Sequence, residues 1–264
     1  FDLGFIWLSA WRFIAGLSAA FAMVLAPTMA VVGVKPSARG AIIGTVFVGA
    51  GVGIIGLSLL LPTFITHGPS GGWLFTAALV ALCLILSWKG LSPRIGLGQP
   101  DARTEAKSTK PRYLRLLWLA YLLMAIAIVP HSIYLSAYVH EVLHEPLAMS
   151  TMVYAIYGLG VLIGGPLYNG LLQKYIGTHT TLALTAISAT AAVAMVILSD
   201  SLWMVIGSAC LLGAAQMGNT GCTTQRLLEL VGPQAHPTWW GRYGLGYNIG
   251  MAAGAFGMGA MVHG

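Results

Sequence analysis

The chain of 264 residues is 57% hydrophobic and only 8% charged, whereas a soluble globular domain carries roughly 25% charged residues. This composition excludes a water-soluble fold and predicts an all-α membrane protein with several spans. The net charge of +6 does not indicate nucleic-acid binding, because the basic residues lie in short loops between apolar stretches. The cysteines show no CxxC spacing, so they indicate neither a metal site nor a disulfide framework.

The apolar stretches predict the number of membrane spans. A spanning helix needs about 20 mostly apolar residues. Eight stretches qualify, at roughly 3–26, 41–65, 72–88, 113–138, 148–172, 178–199, 201–225 and 240–262.

The long polar segment at 88–115 predicts the orientation of the spans. It holds seven of the 13 Lys and Arg residues and only two acids, and basic loops of this kind stay on the cytoplasmic side. Placing it inside puts the other basic loops inside as well, and the acidic loop 139–147 outside. We therefore divide the chain into 1–88, with three spans of a first helical bundle, a basic cytoplasmic linker at 89–112, and 113–264, with five spans of a second bundle.

The unequal number of spans on the two sides of the linker suggests a fragment. Two bundles of six helices would give this arrangement if three spans preceded the chain and one followed it. We therefore expect eight of twelve spans to be present, and the start at Phe1 rather than Met agrees with that expectation.

Arg12 is the charged residue that lies deep within a predicted span, away from its ends. It lies about ten residues into the first span, near the bilayer centre at 1.5 Å per residue. A charge at that depth costs on the order of 3 kcal/mol on insertion scales. We expect Arg12 to take part in proton coupling or to bind an anionic group, with a structural ion pair as the alternative.

The fourth span carries three polar side chains on one helical face. His131, Tyr134 and Tyr138 are spaced three and four residues apart, and Pro130 just before them predicts a kink. Since the ordinary pKa of His lies near 6.5, His131 could titrate in the physiological range. This face could line a cavity or could be packed against another helix.

The seventh span carries Gln216, Asn219 and Thr223 on one stripe. Amides within the membrane need hydrogen-bond partners. Interhelical hydrogen bonds and contacts to a substrate would explain these residues equally well.

Glycines are frequent in several spans, and small residues allow helices to approach closely. We expect packing or gating roles for one group of these glycines. Its members are Gly16, Gly49, Gly53, Gly160, Gly164, Gly250 and Gly254.

Several segments resemble the YbfB/YjiJ-type group of major facilitator superfamily transporters. The first span carries Arg12 followed four residues later by Gly16, which is similar to the fourth-helix motif of that superfamily. The runs WRFIAGLSAAFAMVL, VGAGVGIIGLSLLLP, VPHSIYLSAYV and QRLLELVGPQAHPTWWG look like this group in particular. The resemblance covers nearly the whole chain and corresponds to the fourth to eleventh helices of the family.

A second superfamily signature is degraded in this chain. The segment GLLQKYIG at 170–177 stands where the superfamily reads Gly-x-Leu-Ala-Asp-Arg-x-Gly. Lys174 occupies the Asp position and Tyr175 the Arg position. A gating salt bridge of the usual kind is therefore not expected there.

The resemblance implies a secondary active transporter that moves a small molecule by alternating access. It implies a multi-pass protein of the bacterial inner membrane that is coupled to protons, with export as one possible direction. We expect a monomer in the lipid bilayer with a small-molecule substrate, no cofactor, no nucleic-acid partner and no enzymatic activity.

Two other classes of function stay open. His140-Glu141-Val-Leu-His144 matches the H-E-x-x-H pattern of zinc proteases, in which two His lie one turn apart and the Glu acts as base. Pro146 follows almost at once, and no downstream acidic ligand within a span is apparent. The other class is a membrane receptor that transports nothing.

Overall fold

The computed structural model describes residues 4–31, 34–65, 68–90 and 110–263, so most of the predicted linker lies outside the described residues. All regular secondary structure in these ranges is helical, which confirms the predicted all-α class. The α-helices are α1 Gly4–Ala30, α2 Pro36–Ile65, α3 Pro69–Gly90, α4 Pro111–Ala127, α5 Leu135–Ala137, α6 Leu147–Gly164, α7 Gln173–Leu198 and α8 Leu202–His263. Three π-helical segments lie between them, π1 Pro130–Tyr134, π2 Tyr138–Val142 and π3 Gly165–Leu172.

Six helical stretches of the described residues are long and apolar enough to cross a membrane. They are Ile6–Ala30, Ala38–Ile65, Ser70–Trp88, Pro111–Val142, Leu147–Leu198 and Leu202–Met261. The last two contain 52 and 60 residues, far more than the roughly 20 that one crossing needs. The protein is therefore a multi-pass membrane protein.

Each of the two longest stretches is interrupted by one glycine. Gly177 has φ 77° and ψ 162°, and Gly232 has φ 77° and ψ 168°. This conformation is open to glycine and is sterically blocked for residues with a side chain. The backbone therefore makes a sharp turn at each of these two positions.

Side-chain contacts show that both stretches fold back at these glycines. Gln216 donates a hydrogen bond to Tyr247, although 31 residues would span about 46 Å in one straight helix. Tyr168 similarly donates to Ser188 Oγ across the turn at Gly177, over 2.8 Å. Helix α8 thus consists of a first rod, 202–231, and a second rod, 233–263.

Charged residues collect at opposite ends of the helices. The end that carries both glycine turns, called here the basic end, includes Arg39 beside Pro233 and the ion pair of Arg226. At the other end, called here the acidic end, Tyr138 bonds to Asp200. The acidic end also carries Glu141 and Glu145 of the segment before α6.

The core surrounds the first rod of α8. Its side chains pack with those of α2, α5, π2 and α6 in one cluster, which includes Phe47, Leu135, Tyr157 and Ala209. In contrast, α1 and α3 expose most of their apolar side chains. Exposure of this kind is expected where a helix faces lipid.

Glycines allow two pairs of helices to touch backbone to backbone. A Cβ atom at Gly44 of α2 would collide with the carbonyl of Gly165, and one at Gly165 would collide with that of Gly44. On the other side of α6, a Cβ at Gly160 would collide with the carbonyl of Cys210 in α8. Helix α6 and π3 therefore lie between α2 and α8, with no room for a side chain at these three glycines.

The close contact at Gly160 generates a stability prediction. Gly160→Ala should lower the free energy of unfolding by roughly 1–3 kcal/mol, the usual cost of overpacking, because the new methyl group meets the backbone of α8. The measurement is thermal unfolding in detergent, followed by circular dichroism.

Gly53→Ala is the matched control for that prediction. It lies on α2 with no atom within 4 Å of an added Cβ, so alanine there gains helix propensity without a clash. Equal melting temperatures for the two variants would contradict the close contact.

Candidate functional site

His131 is buried in π1 and belongs to a short chain of hydrogen bonds. Its Nε2 lies 2.6 Å from Ser208 Oγ in the first rod of α8. Ser208 Oγ lies 2.5 Å from the carbonyl oxygen of Ala192 in α7, to which it donates. The chain therefore connects three helical elements.

The donor roles in this chain determine which nitrogen of His131 carries the proton. Ser208 has one hydroxyl hydrogen and gives it to Ala192, so it can only accept from His131. The neutral ring is consequently protonated on Nε2 and has a lone pair on Nδ1. That Nδ1 is buried without a hydrogen-bond partner among the described residues.

Tyr134 and Tyr138 lie on the same span but contact different neighbours. The Tyr134 hydroxyl donates to the carbonyl of Ala255 in the second rod of α8, at 2.9 Å. The Tyr138 hydroxyl lies 3.4 Å from Asp200 Oδ1. The structure therefore does not bring these tyrosines and His131 together around one cavity.

Gln216, in the first rod of α8, links that rod to α6 and to the second rod. Its Oε1 accepts a hydrogen bond from the Tyr157 hydroxyl of α6. Its Nε2 donates to the Tyr247 hydroxyl of the second rod, at 3.1 Å. Tyr121 of α4 packs against Tyr247 with ring centroids 4.7 Å apart.

These three tyrosines were absent from the residues selected by sequence. A usable signal existed, because a buried tyrosine hydroxyl needs a hydrogen-bond partner. The sequence could not show that two of them bond to Gln216 and that the third packs against Tyr247, since the three come from separate spans.

Asn219 and Thr223 lie in a groove and not in the Gln216 cluster. The groove has a volume of about 670 Å³ and runs between α4, α7 and the first rod of α8. Its walls are mostly apolar and include Leu117, Met124 and Ala186. The three polar residues of the predicted stripe are therefore divided between two environments.

The orientation of the Asn219 amide follows from its neighbour. Asn219 Nδ2 donates to Thr185 Oγ1 at 3.2 Å, and Thr185 gives its own hydrogen to the carbonyl of Leu182. Thr185 can therefore only accept. Asn219 Oδ1 is left buried with no partner in the described part of the chain.

Arg12 is exposed on α1. Its guanidinium carbon lies 5.3 Å from the ring centroid of Trp73 in α3, as in a cation–π contact. Within the described ranges, no carboxylate lies at ion-pair distance from it.

The predicted glycines fall into three groups. Gly160 and Gly164 contact α8, whereas Gly250 and Gly254 of the second rod contact α4 and the residues that follow it. The remaining three have no described atom within 4 Å of an added Cβ, and they are Gly16, Gly49 and Gly53.

The H-E-x-x-H segment does not form the helical pair that a zinc protease needs. His140 lies in π2, but His144 lies beyond its end with φ 56°, so the two imidazoles do not share a helical face. His140 Nδ1 instead lies 2.8 Å from the carbonyl oxygen of Glu145. Among the described residues, no group of three or more potential ligands from His, Cys, Asp and Glu is placed to hold a metal.

The Gln216 bridge generates a second stability prediction. Gln216→Leu should cost roughly 1–3 kcal/mol, because it removes the hydrogen-bond partner of the buried Tyr157 and of the partly buried Tyr247. Adding Tyr157→Phe and Tyr247→Phe should recover part of that loss, since the unpaired hydroxyls are then removed.

The control for the Gln216 prediction is Gln234→Leu. Gln234 is exposed, so the same chemical change there should leave the melting temperature nearly unaltered. Equal effects of the two single variants would contradict a structural role for the Gln216 bridge.

A comparison with known families agrees with this helical architecture. No curated protein matches the chain, and neither does any solved structure. One family matches residues 2–264, and its description reads "Uncharacterised MFS-type transporter YbfB". The match covers nearly the whole length, as the resemblance of the sequence predicted, and the chain therefore belongs to the YbfB family of MFS-type transporters.

Proposed function

We propose that the chain is the larger part of a secondary active transporter that moves a small molecule by alternating access. In such a mechanism, two bundles rock against one another around a central site. The observation that carries the proposal is the contact between Gly44 and Gly165, where α2 of the first bundle meets π3 of the second. Two smooth backbones can slide there without moving side chains out of each other's way.

The proposed transporter has twelve spans, of which this chain supplies eight. The number eight is supported by the two longest helical stretches, which fold back at Gly177 and Gly232. Each of them forms two rods, so that six apolar stretches give eight rods. The basic end of the molecule faces the cytoplasm of a bacterial inner membrane in this proposal, because basic loops are not translocated.

His131 and Arg12 take different roles in the proposed cycle. His131 presents a free Nδ1 lone pair inside the second bundle, and a proton bound there would give the ring a charge. Arg12 keeps its charge throughout, so it can attract an acid or an anionic substrate group but cannot carry the proton. We therefore propose that the proton gradient drives transport and that His131 binds the coupled proton.

The proposed orientation can be tested by cysteine labelling. Lys174→Cys lies at the basic end and Glu141→Cys at the acidic end, and both positions are exposed. In a background without other cysteines, an impermeant maleimide added to intact cells should label only the Glu141→Cys variant. Labelling of Lys174→Cys under those conditions would show that the proposed topology is the wrong way round.

The proposed proton coupling predicts a change in pH dependence. In the full-length protein, His131→Gln should retain substrate binding but vary in flux by less than about twofold between pH 5 and 8, because no group titrates at that position. Flux is measured in proteoliposomes, and substrate binding is measured separately by calorimetry. An unchanged pH profile would show that the coupled proton binds at a residue other than His131.

The transport activity itself is tested with the full-length protein in proteoliposomes that contain a pH-sensitive dye. Candidate small molecules are added one by one, with the proton gradient imposed in each direction in turn. A compound that dissipates the gradient only in the presence of the protein supports proton-coupled transport. A protein that binds one of the candidate small molecules but gives no flux with it would instead be a receptor.

A further inference from the structure

A small cavity at the basic end lies between the helices that precede the linker and α8. Its volume is about 60 Å³, and a single buried water needs roughly 10–15 Å³, so a group of about four oxygen atoms fits. In the proposed transporter, α1 and α2 belong to the first bundle and α8 to the second, so a ligand here would contact both bundles. The residues that line the cavity are Thr28, Val31, Arg39, Leu228, Pro233 and His236.

His236 offers a buried lone pair beside this cavity. Its Nε2 lies 3.2 Å from the carbonyl oxygen of Thr224, and a carbonyl can only accept, so Nε2 carries a proton. No carboxylate is among the described residues that line the cavity, so none of them favours the charged ring. His236 exposes only 1% of its surface, and its Nδ1 has no hydrogen-bond partner among the described residues. A ligand would satisfy this nitrogen by donating a hydrogen to it.

Thr28 is a second acceptor in the wall of the cavity. Its hydroxyl donates to the carbonyl oxygen of Val24 in the same helix, at 2.8 Å. A hydroxyl has one hydrogen, so Thr28 Oγ1 can only accept from a ligand.

Positive charge comes from Arg39 and from a helix end. Arg39 Nε donates to the carbonyl of Val34 at 3.1 Å, and the guanidinium can bind two oxygens of an oxyanion at once. The second rod of α8 begins at Pro233, so the positive end of its dipole lies at the cavity. Glu229, the nearest acid along the chain, pairs with Arg226 and does not line the cavity.

Trp240 holds α1 against the second rod beside His236. Pro27 has no N–H group, so the carbonyl of Met23, four residues earlier, lacks its usual donor within the helix. Trp240 Nε1 donates to that carbonyl at 3.1 Å. The Trp240 ring is nearly parallel to the His236 ring, at 8° and with centroids 6.3 Å apart. The two sides of the cavity are thereby joined.

The combination of positive charge and two acceptors selects the kind of ligand. Arg39 requires an anion, whereas His236 Nδ1 and Thr28 Oγ1 require hydrogens. Phosphate meets both requirements near neutral pH, because it carries charged oxygens and at least one hydroxyl. Sulfate and phosphodiesters carry no hydroxyl under the same conditions.

We propose that this cavity binds inorganic phosphate, with its charged oxygens on Arg39 and a hydroxyl donating to His236 Nδ1. In the dihydrogen form, a second hydroxyl donates to Thr28 Oγ1. The phosphate enters from the basic end, and its contacts come from helices on both sides of the linker.

Bound phosphate regulates the proposed transport cycle. A ligand that contacts both bundles favours the arrangement in which they lie together, so phosphate at the basic end should lower the flux. This consequence rests on the transport function proposed above, whereas the binding of phosphate does not.

The first experiment compares anions on the full-length protein by isothermal titration calorimetry in detergent. Phosphate, sulfate and dimethyl phosphate are titrated near neutral pH at constant ionic strength. Phosphate should bind about tenfold more tightly than either of the others, because they leave the buried acceptors unpaired. Sulfate carries the larger negative charge, so attraction to Arg39 alone would give the opposite order. Absent phosphate binding, or sulfate binding of equal or greater strength, overturns the proposal.

The second experiment repeats the titrations with variants. Arg39→Met should weaken phosphate binding about tenfold, as expected for lost hydrogen bonds to a charged group. Arg242→Met is the matched control, because Arg242 is exposed on the second rod and lies over the Trp239 ring. It should leave the Kd within about twofold of the original. His236→Phe removes the acceptor and should reduce the preference for phosphate over sulfate to about twofold or less.

The outcomes for the variants also decide the proposal. An equal loss of binding in Arg39→Met and Arg242→Met would reduce the site to general attraction by positive charge and overturn it. A full preference for phosphate in His236→Phe would overturn the role of Nδ1. The comparison of anions on the unaltered protein does not depend on whether any variant folds.

Flux measurements separate the site from the transport function. Phosphate should lower the flux of the unaltered protein in proteoliposomes but not that of Arg39→Met, and an equal flux with and without phosphate would overturn its regulatory role. A protein that binds phosphate in the expected order but transports none of the candidate compounds would refute transport and leave the site standing. A transporter that binds no phosphate would refute the site alone.

Discussion

Polar groups within the membrane have no water to bond to, and this constraint governs the whole structure. Regular α-helices satisfy their own backbone, but the described part of the chain departs from the regular pattern at three π-helical segments. At π1 a neighbouring side chain supplies a partner, because the Tyr154 hydroxyl donates to the carbonyl of Ser132. The side chain of Asn169 in π3 finds its own partners in the carbonyl of Met217 and the thiol of Cys222, both in α8.

The same constraint explains why side-chain bridges join the helical elements from π1 to α8. Each of Gln216, Ser208 and Glu229 contacts at least one other helical element, and each is a position where an apolar residue would leave a neighbour unsatisfied. These bridges determine how the rods are rotated. The glycines at 44, 160 and 165 determine how closely the rods approach. The polar bridges thus set the rotation of the helices, and the glycine contacts set their separation.

Much of the fold could be predicted from the sequence, because hydropathy and loop charge act locally. The apolar stretches predicted helices throughout, and Arg39 and Arg226 lie at the opposite end from Asp200, as the loop charges predicted. The packing partners could not be predicted. Gly53 and Gly160 look alike in sequence, yet only Gly160 meets another backbone.

The candidate site was harder to predict, since it depends on residues far apart in the chain. The spacing of His131, Tyr134 and Tyr138 assumed a regular α-helix, but the structure places them in or beside π1 and π2. A π-helical turn holds more residues than an α-helical turn, so the three side chains point towards different neighbours. Tyr157, the partner of Gln216 in α6, lies 59 residues away in the chain, and no pattern in the sequence indicates that the two residues are in contact.

The π-helical segment around His131 also bears on how this span could change in evolution. A π-helical turn is a local insertion in an otherwise α-helical ladder, so loss of one residue from Pro130–Tyr134 would shorten the bulge and leave a continuous helix. Because the bulge already accommodates one extra residue, the residues after it would keep nearly the same orientation relative to those before it. A single deletion there would therefore leave nearly the same face of the span towards the interior. The same deletion in the regular helix α7 would instead rotate the residues after it by about 100° and misalign the side chains that contact α8. Related chains could therefore differ in length at Pro130–Tyr134 and still share both the fold and the interior face of this span.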